Sequence, residues 1–133
     1  MALKSEKFPV MVSADVVKVR QVVRQWATDL KFSLVDQTKL VTATSELARN
    51  TLEHGGGGSM LAEIIDEGAK KGIKLVFDDK GPGIADLELA LRDGYTTGGG
   101  MGLGLSGSKR LVNDFQINSE PGRGTTVTII RWK

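Results

Sequence analysis

The stretch Ser45–His54, SELARNTLEH, decides how the rest of the chain is read. Glu46 and Asn50 stand four residues apart, a spacing that stacks two side chains on one face of a helix. Placed on a helical wheel, residues 36–53 gather Leu40, Val41, Thr44, Leu47, Ala48, Thr51 and Leu52 into one apolar stripe. Glu46 and Asn50 fall outside the stripe, on a flank shared with Ala43. A carboxylate and a carboxamide therefore project together at the border of a core. Taken alone, the pair reads as a solvated helical face, because such pairs are common. The surrounding sequence gives it another meaning.

A chain of 133 residues favours one domain, 1–133, with room for a core. Hydrophobic residues at 40% and charged residues at 26% fit an ordinary globular protein. The net charge is only +2, with basic residues scattered among acids, so no nucleic-acid footprint is expected. There is no cysteine, hence no disulfide framework or thiolate metal site, and the single histidine, His54, excludes a multi-histidine centre. No apolar run approaches the roughly 20 residues of a membrane span and no secretory pattern opens the chain, so the expected location is cytoplasmic and no membrane partner is expected. Glycine is the outlier: 17 residues, concentrated at 55–58, 81–83 and 94–107. Glycine is costly to order, so such clusters mark places where backbone must approach something closely.

Outward from the helix, Phe8–Val12 reads as a first strand, with Ser13 or Asp15 capping the helix after it. Val16, Val19, Val23, Trp26 and Leu30 recur at helical steps. The Glu46 helix is expected from about Asp36 to His54, ended by glycines. Met60–Ile65 and Ile73–Phe77 form a hairpin around a polar turn at Asp66–Gly72. A short helix is expected at Asp86–Arg92, a glycine-rich loop at Gly94–Gly104 and a helix at Leu105–Asp114. Phe115–Ser119 and Thr125–Trp132 complete the strands around the turn at 120–124. The order β-α-α-β-β-α-α-β-β implies an α+β fold, a two-layer sandwich of a mixed, mostly antiparallel sheet with helices on one face.

Two glycine motifs carry chemistry. In Asp79-x-Gly81-x-Gly83 an aspartate at a strand end can accept from an exocyclic amine, while the glycines let a flat ring approach the backbone. A simple turn is the alternative. Gly98-Gly99-Gly100-Met101-Gly102-Leu103-Gly104 leads into a helix, whose free amides and positive dipole end suit phosphates. Gly102-x-Gly104-x-x-Gly107 matches the dinucleotide fingerprint as a string but lacks the strand before it. Gly107-Ser108-Lys109 has the order of a Walker loop wrong.

Glu46-x-x-x-Asn50, Asp79-x-Gly81-x-Gly83 and Gly100–Gly104, followed by Gly122-Arg123-Gly124-Thr125-Thr126, stand in the order of the N, G1 and G2 boxes of the GHKL ATPase/kinase superfamily, the Bergerat fold, which the chain resembles over nearly its whole length. Within it the chain is similar to the small bacterial serine/threonine protein kinases of the anti-sigma and stressosome switch-kinase type. The resemblance implies ATP and Mg²⁺ as cofactors. It implies Asn50 as the Mg²⁺ ligand, with ATP phosphates, and Glu46 as the base for an incoming hydroxyl. It makes Asp79 the acceptor for the adenine amine, Gly81 and Gly83 the seat of the ring, and Thr125 or Thr126 a further adenine contact. Residues 85–104 become an ATP lid, with Gly98, Gly99, Gly100, Met101, Gly102, Leu103 and Gly104 on the nucleotide. The implied activity is transfer of the γ-phosphate to a STAS-domain antagonist or scaffold, followed by activation of a PP2C-type phosphatase. The alternative is an anti-sigma factor that sequesters a sigma factor with ATP bound. Thr96-Thr97-Gly98-Gly99-Gly100 stands where anti-sigma relatives carry a longer lid with a basic residue, which favours the switch kinase. A histidine-kinase catalytic domain is a third reading, and it would need a phosphoacceptor supplied in trans.

Overall fold

Strand β1 (Ala2–Val10) leads into helices α1 (Ser13–Asp29) and α2 (Leu34–Glu53). The hairpin β2 (Gly58–Glu67) and β3 (Lys70–Asp79), helix α3 (Gly104–Arg110) and the hairpin β4 (Asp114–Glu120) and β5 (Gly124–Trp132) follow. The structure is a computed structural model and describes residues 2–84, 91 and 104–133. The helix expected at Asp86–Arg92 and most of the Gly94–Gly104 loop lie outside the described residues.

The sheet order is β1-β2-β3-β5-β4, and all four pairings are antiparallel. Alternation along the strands sets the two faces. Met60 and Ala62 of β2, Ile73, Leu75 and Phe77 of β3 and Val127 and Ile129 of β5 point toward the helices and are buried. They join Leu40, Val41, Leu47 and Ala48 of α2 and Val19, Val23 and Trp26 of α1 in one core. Each large apolar side chain so buried contributes about 1.5–3 kcal/mol. The other face carries Glu63, Lys74, Asp78, Thr126 and Thr128, all partly exposed. This is the two-layer α+β arrangement expected from the element order. Among the described residues no helix is long and apolar enough to cross a membrane.

Several boundaries move for physical reasons. β1 begins at Ala2 instead of Phe8, because β2 extends to Glu67 and offers pairing partners as far as Ala2↔Ile65. The expected polar turn at Asp66–Gly72 shrinks to two residues, since Asp66↔Lys71 and Glu67↔Lys70 continue the ladder with opposite charges across it. α3 stops at Arg110, four residues early, because the Asn113 amide and Asp114 join β5 at Ile130. Of the two cap candidates on α1, Asp15 does the capping: its Oδ2 accepts from the amides of Met11 at 2.8 Å and Val12 at 3.1 Å.

α2 starts two residues before Asp36, where Ser33 Oγ accepts from the Asp36 amide at 3.1 Å. Asp36 then reaches across to β5 and accepts from Arg131 Nη2 at 2.6 Å. Arg131 also donates from Nη1 to the Leu111 carbonyl at 3.3 Å, so one guanidinium joins the start of α2, the end of α3 and the last strand. The Arg131 hydrogen bond, with a second from Ser33, holds the Asp36 carboxyl below its ordinary value. A carboxylate depressed on folding stabilises the protein above its unfolded value, about 3.9, and the contribution disappears as pH falls through the lower folded value. Asp36→Asn is therefore expected to lower stability by about 1 kcal/mol at neutral pH, the scale of a partly exposed pair. The gap between wild type and variant in denaturant midpoint should close as the pH drops below about 4.

Candidate functional site

The last two turns of α2 place Glu46 and Asn50. Leu47, Ala48 and Thr51 beside them are buried, and Thr51 Oγ1 satisfies itself on the Leu47 carbonyl at 3.0 Å. That anchors one face of the helix and leaves Glu46 and Asn50 at its margin, half-buried. The Glu46 side chain is 14% exposed, and its Oε1 lies 3.4 Å from Nη1 of Arg49 one turn on. Arg49 has no assigned role in the sequence motifs, and its i,i+3 spacing to Glu46 is the one local signal of this contact.

The helix ends where its axis meets β3. The Asn50 carbonyl accepts from the amides of both His54, at 2.9 Å, and Gly55, at 3.1 Å. Gly55 then stands directly against Asp79: a Cβ at 55 would fall on the Asp79 carboxyl group, 2.5 Å from Oδ2. Gly81 packs on Gly55 in turn, and a Cβ there would lie 2.6 Å from the Gly55 Cα. The two bare backbones let the helix end and the strand end touch. The helix carrying Glu46 and Asn50 thus runs into the aspartate at the end of β3. The glycine cluster at 55–58 marks both the helix end and a close backbone approach; that the neighbour is Asp79 needs the fold to be seen.

Asp79 is buried, with 8% of its surface exposed. Its Oδ1 accepts from the Gly81 amide at 2.9 Å and the Thr125 amide at 3.3 Å. Both bonds fall on Oδ1, and Oδ2 lies on the side of the carboxyl that packs against Gly55.

The register separates the two threonines. Thr125 pairs with Asp79 and shares its face, whereas Thr126 pairs with Asp78. Thr126 Oγ1 donates to Asp78 Oδ1 at 2.7 Å on the opposite side of the sheet. Thr125 therefore lies on the face of Asp79, and Thr126 lies on the opposite face. The Thr125 hydroxyl is 2.8 Å from Ser119 Oγ, which also accepts from the Ile84 amide at 2.7 Å. Gly83 adopts φ +78°, and a Cβ there would run into the Glu120 carbonyl. Together with the Gly122 amide on the Pro82 carbonyl at 2.7 Å, this seats residues 81–84 against the β4–β5 turn.

Gly104 opens α3, where its carbonyl accepts from Ser108 Oγ at 3.1 Å. Gly98, Gly99, Gly100, Met101, Gly102 and Leu103 lie outside the described residues. No group of three or more histidine, cysteine or acidic side chains among the described residues could cage a metal. The donor at hand is the Asn50 carboxamide, and one such oxygen suits an ion that keeps water and phosphate oxygens as its other ligands. A carboxylate at the end of a strand suits the amine on the edge of a flat heterocycle.

A family model described as histidine kinase-, DNA gyrase B-, and HSP90-like ATPase matches residues 35–133. The chain belongs to this family. Among curated proteins, this GHKL chain is 43% identical over 123 residues to the serine/threonine-protein kinase RsbT of Bacillus subtilis, covering 92% of each chain. It is 28% identical over 119 residues to an anti-sigma F factor of Thermoanaerobacter, covering 85% of this chain and 82% of that one. Among solved structures, the RsbU and RsbW domains of a Mycobacterium tuberculosis protein match with a TM-score of 0.61 at 20% identity, over 96% of this chain and 32% of that one. That structural likeness concerns the fold. The GHKL protein uses ATP and is a serine/threonine-protein kinase by class, with anti-sigma F factors among its relatives.

Proposed function

We propose that this kinase transfers the ATP γ-phosphate to a serine or threonine hydroxyl of a STAS-domain antagonist or scaffold, in the cytoplasm, and that its release then activates a PP2C-type phosphatase. The reading rests on the Gly55 junction, where the helix of Glu46 and Asn50 abuts the Asp79 carboxyl. Likeness to RsbT over 92% of both chains supports a switch kinase as the kind. Residues 1–133 act as one unit in it.

Asp79 Oδ2 accepts the adenine amine, and Thr125 faces the same ring edge. Gly81, packed on Gly55, and Gly83, packed on the Glu120 carbonyl, shape the backbone beside the ring, and Gly98–Gly104 supply amides to the phosphates. Mg²⁺ held through Asn50 offsets phosphate charge when bound. Glu46 takes the proton of the incoming hydroxyl as that oxygen bonds to the γ-phosphorus and the β–γ bridging P–O bond breaks, leaving ADP. Most of the barrier reduction comes from orientation, since phosphoryl transfer asks little covalent chemistry of a protein.

The relatives named anti-sigma F factors favour a second reading, ATP-dependent capture of a sigma factor. The two separate in one assay. With Mg-ATP and a panel of STAS proteins, the kinase reading expects phosphoserine or phosphothreonine on one of them within minutes. Stable binding of a sigma factor with no transfer to any STAS protein would overturn it in favour of the second.

A further inference from the structure

Ser119 lies on β4, outside every motif of the sequence, and is the most connected hydroxyl near Asp79. Its Oγ accepts from the Ile84 amide at 2.7 Å, lies 2.8 Å from Thr125 Oγ1, and can donate to the Gly124 carbonyl at 3.2 Å. A serine hydroxyl has one proton and two lone pairs. The Ile84 amide occupies one lone pair permanently. Two arrangements remain. In one, Ser119 donates to Gly124 and accepts from Thr125. In the other, Ser119 donates to Thr125 across the shorter gap, and the Thr125 proton is free to point elsewhere.

We propose that Ser119 is a positioning residue that turns the Thr125 hydroxyl into a hydrogen-bond donor toward the ring nitrogen beside the base's amine. This rests on the adenine-nucleotide reading of the Asp79 site. Thr125 is the cross-strand partner of Asp79, so both address one edge of a ligand. Asp79 can only accept, because its Oδ1 is already held by two amides and its Oδ2 is a carboxylate oxygen. Adenine offers an amine next to a bare ring nitrogen, which asks for an acceptor beside a donor. Guanine offers a carbonyl next to a ring N–H, the reverse. Thr125 completes the adenine pattern only when its proton faces the ligand; Ser119 makes that state available by moving its proton from the Gly124 carbonyl to Thr125, and the new bond from Thr125 to the ligand offsets the one given up. The Ile84 amide fixes Ser119, so the register of residues 81–84 and the polarity of the base contact are set by the same atom.

Titration calorimetry with ADP and with 1-deaza-ADP, which carries C–H in place of that ring nitrogen, tests this. Ser119→Ala is expected to weaken ADP about three- to tenfold, the worth of one hydrogen bond, and to leave 1-deaza-ADP unchanged. Ser119→Thr, which keeps the hydroxyl, should restore ADP affinity. Thr125→Val should match the double variant, because Ser119 acts through Thr125. Equal weakening of both ligands by Ser119→Ala would mean that the residue only supports the fold, and additive losses in the double variant would break the link to Thr125; either result overturns the proposal. Wild type that distinguishes ADP from neither GDP nor 1-deaza-ADP also overturns it, while leaving nucleotide binding intact. Wild type that binds no adenine nucleotide overturns the underlying reading as well.

Discussion

Glu46→Gln is expected to bind adenine nucleotide about as well as wild type and to phosphorylate its protein substrate about 100- to 10,000-fold more slowly, the usual worth of a positioned base. Glutamine keeps the length and most of the packing of a side chain that is only 14% exposed. It cannot take a proton from the incoming hydroxyl. The Asp79 carboxyl is held by the Gly81 and Thr125 amides and Glu46 lies against Arg49, so the loss of Glu46 is expected to leave the base contacts alone. Single-turnover transfer to the STAS substrate, measured beside a nucleotide titration, separates the two effects. Transfer at the wild-type rate would remove Glu46 from the base role.

Asp79→Asn is expected to lose nucleotide affinity on the order of 100-fold while the fold stays intact. The Asp79 carboxyl has two distinguishable oxygens. Oδ1 serves the Gly81 and Thr125 amides, and an asparagine carbonyl can serve them equally. What changes is the second position, beside Gly55, where an acceptor becomes an NH₂ donor facing the amine of the base. Two donors then oppose each other in a buried place, and the cost combines a lost charge-assisted bond with an unsatisfied group. Thermal melting without ligand should shift little. Calorimetry with ADP reads the loss, and an Asp79→Asn protein that binds ADP tightly would remove Asp79 from the base contact.

How far the sequence carried depends on the range of the interactions involved. The α2 stripe was legible because helical periodicity is local, and Leu40, Thr44, Leu47 and Thr51 are all buried. The strands of the β2–β3 hairpin were legible for the same reason, but their lengths were not. Whether Asp66 and Glu67 pair or turn depends on the lysines opposite them, and the reach of β1 depends on the length of β2. At the candidate site, Glu46, Asn50 and Asp79 stand out by residue type and spacing, and the roles proposed for them come from the family resemblance. Alternation left Thr125 and Thr126 equivalent until the pairing of Thr125 with Asp79 distinguished them. The partners of Gly55 and Ser119 are not legible in the sequence because their meaning lies in what they touch. Gly55 meets a carboxyl 24 residues away in sequence, and Ser119 meets an amide 35 residues back. No local pattern encodes such meetings.

The grip of Arg131 on Asp36 and the wedge of Gly55 against Asp79 have a joint consequence for how a substrate is engaged. They pin α2 at its two extremities, like a beam set into masonry at each end, with Glu46 and Asn50 on the span between. A beam so held cannot travel to meet its load. On the proposed mechanism the phosphoacceptor is therefore carried to Glu46 by the incoming protein, and the choice of which serine or threonine is modified falls to the shape of that protein's docking.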